Sequence, residues 1–121
     1  MARHNDDGKQ AEVLAKAFLE NKGYQILDQN WTFKKAEVDL IAYHNKTLIF
    51  VEVKARSGTG FGKPEEFVDD KKQKLLSQAA DEYIYLMEHE CEIRFDIIAI
   101  LFKKDFEQYE INHIEDAFWN Y

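Results

Sequence analysis

The chain has 121 residues, of which 45% are hydrophobic, 32% charged and 14% aromatic. This is the length of one domain, and the composition excludes an intrinsically disordered protein. The formal net charge is −7, with eleven acidic and only three basic residues in positions 81–121, which excludes a broad, non-specific nucleic-acid binder but leaves room for local contacts with nucleic acid.

The expected compartment follows from the segments that the sequence lacks and from its cysteine count. No apolar run approaches the roughly 18 residues that a membrane-spanning helix needs. The first seven residues, Met-Ala-Arg-His-Asn-Asp-Asp, do not have the apolar stretch of a secretory signal. Cys91 is the only cysteine, which excludes an internal disulfide and a zinc site built from cysteines. We therefore expect a cytoplasmic protein with no membrane partner.

Hydrophobic periodicity predicts these elements in chain order: helix 6–22, strands 24–33, 37–43 and 47–56, a helix from an Asp69 cap to about residue 88, strand 92–102 and a short strand 107–111. Gly23 follows the first helix, where a left-handed stop is expected. Residues 97–102 are apolar on both faces, which indicates a buried strand. The strand–helix–strand crossover should make strands 47–56 and 92–102 parallel. We predict a single α/β domain over residues 1–121, with a central mixed sheet flanked by helices.

Three segments are expected to be less ordered than this core. Residues 57–66, Ser-Gly-Thr-Gly-Phe-Gly-Lys-Pro-Glu-Glu, contain three of the five glycines and the only proline, which is typical of a mobile loop. Residues 1–5 and 119–121 are expected to be poorly ordered tails. The loop directly follows strand 47–56, so we expect it to border any cleft at that end of the sheet.

The turn at Asn45–Lys46 fixes how the two strands beside it pair. With a two-residue loop, paired residue numbers add up to 91, so Asp39 lies opposite Glu52 and Glu37 opposite Lys54. A three-residue loop would shift the register by one and remove this opposition. Directly opposed side chains have Cβ atoms about 4.5–5.5 Å apart. Two carboxylates at that distance repel, and the pair destabilises the fold unless a cation lies between them.

Side chains alternate between the two faces of a sheet, so the sequence predicts which residues lie on the same face as these carboxylates. Val38, Leu40 and Ala42 are expected on the face opposite to Asp39. Leu48 and Phe50 precede Glu52 on its own face. A face that is apolar at one end and charged at the other indicates a partly covered cleft.

Mg²⁺ or Mn²⁺ is the cation that this pair would favour, because hard divalent ions prefer carboxylate oxygens. We expect Asp39, Glu52 and the backbone carbonyl of Val53 to be its ligands. Lys54 stays on the Glu52 face and can touch a water or a phosphate oxygen beside the metal. The arrangement is typical of metal-assisted phosphodiester hydrolysis, in which the metal lowers the pKa of bound water and the lysine stabilises charge in the transition state.

The same residues have a simpler interpretation. An alternating Glu-x-Lys pattern on a strand is most often a solvated face with weak ion pairs. Arg94 and Asp96, two apart on one strand, likewise favour a structural ion pair. Two alternatives to an enzyme therefore stay open. One is a non-catalytic nucleic-acid-binding domain that retains the fold, and the other is a structural protein in which Asp39, Glu52 and Lys54 form a surface ion network.

Asp39, followed after twelve residues by Glu52-Val53-Lys54, resembles the PD-(D/E)xK pattern of the restriction-endonuclease-like superfamily. Further motifs are similar to the YraN-like family of small, bacterial, endonuclease-like proteins, and they run from Gly8 to Phe118. They are Gly8…Glu12…Ala15, Gly23-Tyr24-Gln25-Ile26-Leu27…Asn30, residues 37–42 and 50–56, Val68…Lys72-Gln73, residues 94–96, and His113-Ile114-Glu115…Ala117-Phe118. Ala11 and Ala36 depart from that family, which usually has glycine at these positions.

This resemblance implies a restriction-endonuclease-like fold and a Mg²⁺- or Mn²⁺-dependent endonuclease that acts on DNA. It implies that Asp39 and Glu52 are metal ligands and that Lys54 is the catalytic lysine. It also implies that Glu12, on the first helix, assists at the metal directly or through water.

Three further residues receive roles in binding the substrate. By the resemblance, Gln73 and Lys72 in the second helix reach the scissile phosphate, Gln73 as part of the catalytic set. Arg56 shares the Glu52 face and is placed to hold a neighbouring phosphate. The expected partner is DNA, with branched and damaged forms among the candidates, and a homodimer is one expected assembly.

Overall fold

The computed structural model describes residues 2–57, 68–88, 90, 92–103 and 107–118, and within these the side chains from residue 8 onward. Seven elements lie in this part of the chain: α1 Ala2–Asn21, β1 Gln25–Phe33, β2 Ala36–His44, β3 Thr47–Ser57, α2 Asp70–Met87, β4 Glu92–Lys103 and β5 Gln108–Ile114. The expectations for the loop 57–66 and for the tail 119–121 fall outside the described residues, apart from Ser57, and stay predictions. Residues 2–5 of the expected N-terminal tail lie in α1, which begins earlier than the predicted residue 6.

One mixed sheet forms the centre of the domain, with the strand order β1-β2-β3-β4-β5. The strands β3 and β4 are parallel, as predicted, and the other neighbours are antiparallel. The last strand reaches Ile114 rather than residue 111, because its polar residues Asn112 and His113 still pair with β4. This α/β architecture is confirmed, and it is consistent with a restriction-endonuclease-like fold.

Each face of the sheet is covered by one helix. The α1 helix buries Ala11, Ala15 and Leu19 against residues that include Ile49 and Val51. On the other face, α2 buries a set of apolar side chains against Phe50 and Ile97, namely Leu76, Ala79, Ala80 and Tyr83. Among the described helices, none is long and apolar enough to cross a membrane.

Helix ends are set by the residues that the sequence indicated. Gly23 has φ +90°, the left-handed backbone that glycine adopts without strain, and it ends α1. Asp69 caps α2, since its carboxylate accepts the Lys72 N–H at 2.9 Å. This cap places Lys72 and Gln73 in the first turn of α2, on the side of the sheet where the Glu52 side chain lies.

The hairpin between β2 and β3 has the predicted register. Asn45 and Lys46 both have positive φ, at 50° and 62°, which is the backbone of a two-residue hairpin loop. The pairs run from His44 with Thr47 to Leu40 with Val51, and their numbers add up to 91. The regular pairing ends there, one residue before Asp39.

One expectation about this strand was wrong. Val38 packs on the α2 face of the sheet, whereas Leu40 and Ala42 pack on the α1 face. The alternation of side chains is therefore broken at Asp39. The break coincides with the end of the β2–β3 pairing and with Asn30 on the neighbouring strand, whose backbone is left-handed at φ 51°.

Candidate active site

Asp39 is held at this break by a hydrogen bond to the neighbouring strand. Its Oδ2 accepts the backbone N–H of Val53 at 2.8 Å. This contact lies just beyond the last backbone pair, Leu40 with Val51. The carboxylate is thus anchored to β3 next to Glu52, although Asp39 and Glu52 are not one of the backbone pairs of the β2–β3 hairpin.

The Asp39 carboxyl group has an unusual affinity for protons. Burial is the main reason why its pKa rises to about 7, and the nearby charge of Glu52 is the second. The Val53 N–H and the Lys72 ammonium oppose this rise but do not cancel it. A carboxyl group of this kind ionises fully near neutral pH only if a cation reaches it.

Glu52 is the most deeply buried acidic residue of the site, at 4% exposure. Its Oε2 is 2.5 Å from the Lys72 ammonium and 3.3 Å from that of Lys54. Its Oε1 is buried and has no hydrogen-bond partner among the described residues. A buried carboxylate oxygen without a partner costs about 1–3 kcal/mol or more, so a ligand that contacts this oxygen would stabilise the site.

The two lysines on Glu52 differ in their proton affinity. Burial lowers the pKa of Lys54, and the attraction of Glu52 only partly offsets it. Burial acts on Lys72 as well, but its hydrogen bond and charge interaction with Glu52 outweigh it and raise its pKa. The predicted pairing of Lys54 with Glu37 is not what the structure has. Lys54 forms its ion pair with Glu52, and Glu37 is exposed.

Glu12 approaches the same group from α1, on the other side of the sheet. Burial raises its pKa, a hydrogen bond with Asn30 opposes this, and the charges of Glu37 and Glu52 raise it further. These interactions connect the first helix electrostatically with the carboxylates of β2 and β3.

Two other predicted site residues bind main-chain oxygens. The Gln73 side-chain amide donates to the carbonyl of Val68 at 3.0 Å. The Arg56 guanidinium donates to the carbonyl of Ala55 at 2.8 Å. Gln73 and Arg56 are thus described by contacts with main-chain oxygens. The other predicted side chains interact with one another, namely Asp39, Glu52, Lys54, Lys72 and Glu12.

A cleft of about 420 Å³ opens beside Asp39, between the start of β2 and the start of α2. Lys35 and Glu37 lie on one wall, and Lys71 and Lys72 on the other. No feature of the sequence singled out Lys35 or Lys71. Within the described ranges, no three histidine, cysteine, aspartate or glutamate side chains are arranged to hold a metal. A metal here would need the Val53 carbonyl as well as the two carboxylates.

Comparison with known proteins identifies the family. The model of the uncharacterised protein family UPF0102 matches residues 11–100. The chain belongs to this family. A UPF0102 protein of Flavobacterium psychrophilum is 49% identical over 121 residues, all of both chains. One of Christiangramia forsetii is 46% identical over 119 residues, 98% of each chain, and one of Flavobacterium johnsoniae is 45% identical over 125 residues, all of both. This confirms the resemblance seen in the motifs.

This UPF0102 chain has a second buried carboxylate, Asp96, which is fully partnered. Arg94 bonds both of its oxygens, at 2.8 and 2.9 Å. His113 adds a contact to Oδ2 at 2.7 Å, and the Asp116 N–H one to Oδ1 at 3.0 Å. The predicted ion pair of Arg94 and Asp96 is confirmed. The part played by His113 was missed, because it comes from β5, 17 residues away in sequence.

Proposed function

We propose that this UPF0102 protein is a metal-dependent endonuclease that hydrolyses phosphodiester bonds in DNA. The observation that supports this most is Glu52. It is 4% exposed, it adjoins Asp39, and its Oε1 is buried without a partner among the described residues. Hard divalent cations such as Mg²⁺ and Mn²⁺ prefer carboxylate oxygens of this kind as ligands.

The residues present fit a Mg²⁺ or Mn²⁺ ion. Asp39 and Glu52 would hold it through carboxylate oxygens, and the Val53 carbonyl would add a backbone ligand. The raised pKa of Asp39, about 7, reflects burial and repulsion by Glu52, and both are relieved by a bound cation. When bound, the ion would supply a water of lowered pKa and neutralise charge on the phosphate.

The chain's own residues would position the reactants around that ion. The Lys54 ammonium lies 3.3 Å from Oε2 of Glu52. From this position it would donate a hydrogen bond to a phosphate oxygen or to the attacking water. The pKa of Lys54 is lowered by burial, so it passes a proton more readily than an exposed lysine. Glu12, whose pKa is raised by burial, would hold a water on the α1 side of the site.

One observation favours a second candidate function. The ammonium groups of Lys54 and Lys72 both contact Oε2 of Glu52, so positive charge already balances this carboxylate. Such a cluster suits a nucleic-acid-binding domain that keeps the fold without turnover. That domain would bind DNA in a salt-sensitive manner, and its binding would survive Asp39→Asn and Glu52→Gln.

A cleavage assay separates the two candidates. Duplex, flap, branched and single-stranded DNA, with RNA beside them, are incubated with Mn²⁺ and wild type, Glu52→Gln or the exposed control Lys74→Ala. We expect cleavage by wild type and by the control, and a loss of about a hundredfold or more in Glu52→Gln. Equal cleavage by wild type and Glu52→Gln would contradict the enzyme. DNA binding without cleavage, unchanged in Glu52→Gln, would support the second candidate.

A further inference from the structure

The Lys72 ammonium forms an ion pair with Glu52, whose carboxylate is a proposed ligand of the metal. This ammonium is 2.5 Å from Oε2 of Glu52, and the Lys54 ammonium is on the same oxygen at 3.3 Å. A divalent ion that reached Asp39 and Glu52 would therefore meet two ammonium groups within a few Å. Like charges in such a partly buried place repel strongly, so one of the two has to move away.

The structure indicates which lysine moves. The Lys54 side chain is 18% exposed and projects from the central strand β3, whereas the Lys72 side chain is 38% exposed and reaches in from the first turn of α2. Lys72 also lines the cleft beside Asp39, together with Lys35 and Lys71. A rotation of its flexible four-carbon stem would take its ammonium from Glu52 into that cleft without any change of the backbone.

We propose that Lys72 is an exchangeable counterion, which binds Glu52 while the metal is absent and binds a phosphate of the DNA once the metal is present. The proposal rests on the function proposed above and adds a regulatory role to one of its residues. The cleft that receives the released ammonium is lined by two more lysines, Lys35 and Lys71. Three carboxylates, Glu37, Asp39 and Asp69, line it too, so its contacts with a phosphate backbone would be confined to the lysines. Lys72 then has a partner in both states, first a carboxylate and then a phosphate.

Exchange of this kind couples the two ligands. Metal binding frees Lys72 for DNA, and DNA holds Lys72 away from Glu52, so each ligand raises the affinity for the other by the same factor. Lys72→Met removes the competing ammonium and keeps the apolar stem and a good helix-forming residue. It should therefore bind metal more tightly than wild type and DNA less tightly.

Calorimetric titration with Mn²⁺ and Mg²⁺, without DNA, tests this. Wild type is compared with Lys72→Met, with Lys72→Gln as a second variant that lacks the charge, and with Lys71→Met as the matched neighbour on the same cleft wall. Thermal unfolding verifies that each variant is folded. We expect the metal affinity of both Lys72 variants to be at least about fivefold higher than that of wild type. The metal affinity of Lys71→Met should stay within about twofold of wild type.

Unchanged or weaker metal binding in the Lys72 variants overturns the exchange but leaves the proposed metal site standing. No metal binding by wild type or by any variant overturns the metal site and the exchange together. A second readout is the anisotropy of labelled DNA in EDTA and in Ca²⁺. The metal should raise DNA affinity more in wild type than in Lys72→Met, and an equal effect in the two proteins counts against the exchange.

Discussion

The Asp39 carboxylate accepts the Val53 N–H at 2.8 Å, directly beyond the last backbone pair of the β2–β3 hairpin. One side-chain bond thus holds Asp39 on β3, next to Glu52, at the point where the regular pairing ends. The two carboxylates are brought together by the fold itself, and the repulsion between them is part of the reason for the raised pKa of Asp39.

Asp39→Asn should stabilise the metal-free protein, and more so at higher pH. The pKa of Asp39 is raised to about 7 on folding, so its protonated form stabilises the fold below about pH 4, and this contribution is lost as the pH rises through about 7. Asparagine stays neutral and still offers an oxygen to Val53. We expect a gain of about 4 kcal/mol relative to wild type between about pH 4 and pH 8, since the pKa rises by about three units and each is worth about 1.4 kcal/mol.

Urea denaturation in EDTA across that pH range measures the effect. Asp81→Asn, on the exposed side of α2, is the control and should show no such trend. A constant difference between Asp39→Asn and wild type over the whole range would contradict the raised pKa.

Lys54→Ala should separate catalysis from metal binding. The lysine contacts Glu52 but is not one of the proposed metal ligands, so the variant should still bind Mn²⁺. Cleavage should fall about a hundredfold or more, because the charge that stabilises the transition state is removed. Metal titration and a cleavage assay on the same preparation measure both. Lost metal binding, or full cleavage, would be incompatible with the proposed role of Lys54.

Asp96→Asn should strongly destabilise the fold. Although burial raises the pKa of Asp96, the hydrogen bonds from His113 and Arg94 outweigh it and lower the pKa below its usual range. The stabilisation is therefore present above about pH 4 and lost as the pH falls below it. Removing one partner of a buried ion pair costs about 3 kcal/mol or more. Denaturation at about pH 7 and pH 3 should show a large loss at the former and a smaller one at the latter.

Gln73→Ala should cost the fold about 1 kcal/mol, the usual net value of one hydrogen bond, because the amide of this side chain donates to the Val68 carbonyl. Gln78→Ala, at an exposed position of the same helix, is the matched control and should have little effect. Denaturation midpoints compare the two. Equal midpoints for the two variants would show that this contact does not support the start of α2.

The sequence predicts those parts of the fold that depend on neighbours along the chain. The loop at Asn45–Lys46 determines the register by its length, and Asp69 and Gly23 determine helix ends by their own chemistry. The crossover through α2 follows from the order of the elements.

The sequence does not predict features that depend on how the helices and strands pack against one another. The break in alternation at Asp39 coincides with the left-handed backbone of Asn30 on the neighbouring strand β1. The contact of Lys72 with Glu52 depends on how α2 lies on the sheet, and the contact of His113 with Asp96 on β5. The sequence therefore identifies the acidic pair and its register but not the ammonium that balances Glu52.

The most direct test of the central claim is a calorimetric titration with Mn²⁺ of wild type, Glu52→Gln and the exposed control Asp81→Asn. We predict binding by wild type and by the control, and affinity at least about tenfold lower in Glu52→Gln, since it removes one of the two carboxylate ligands. The same affinity in Glu52→Gln as in wild type would contradict a metal site formed by Asp39 and Glu52.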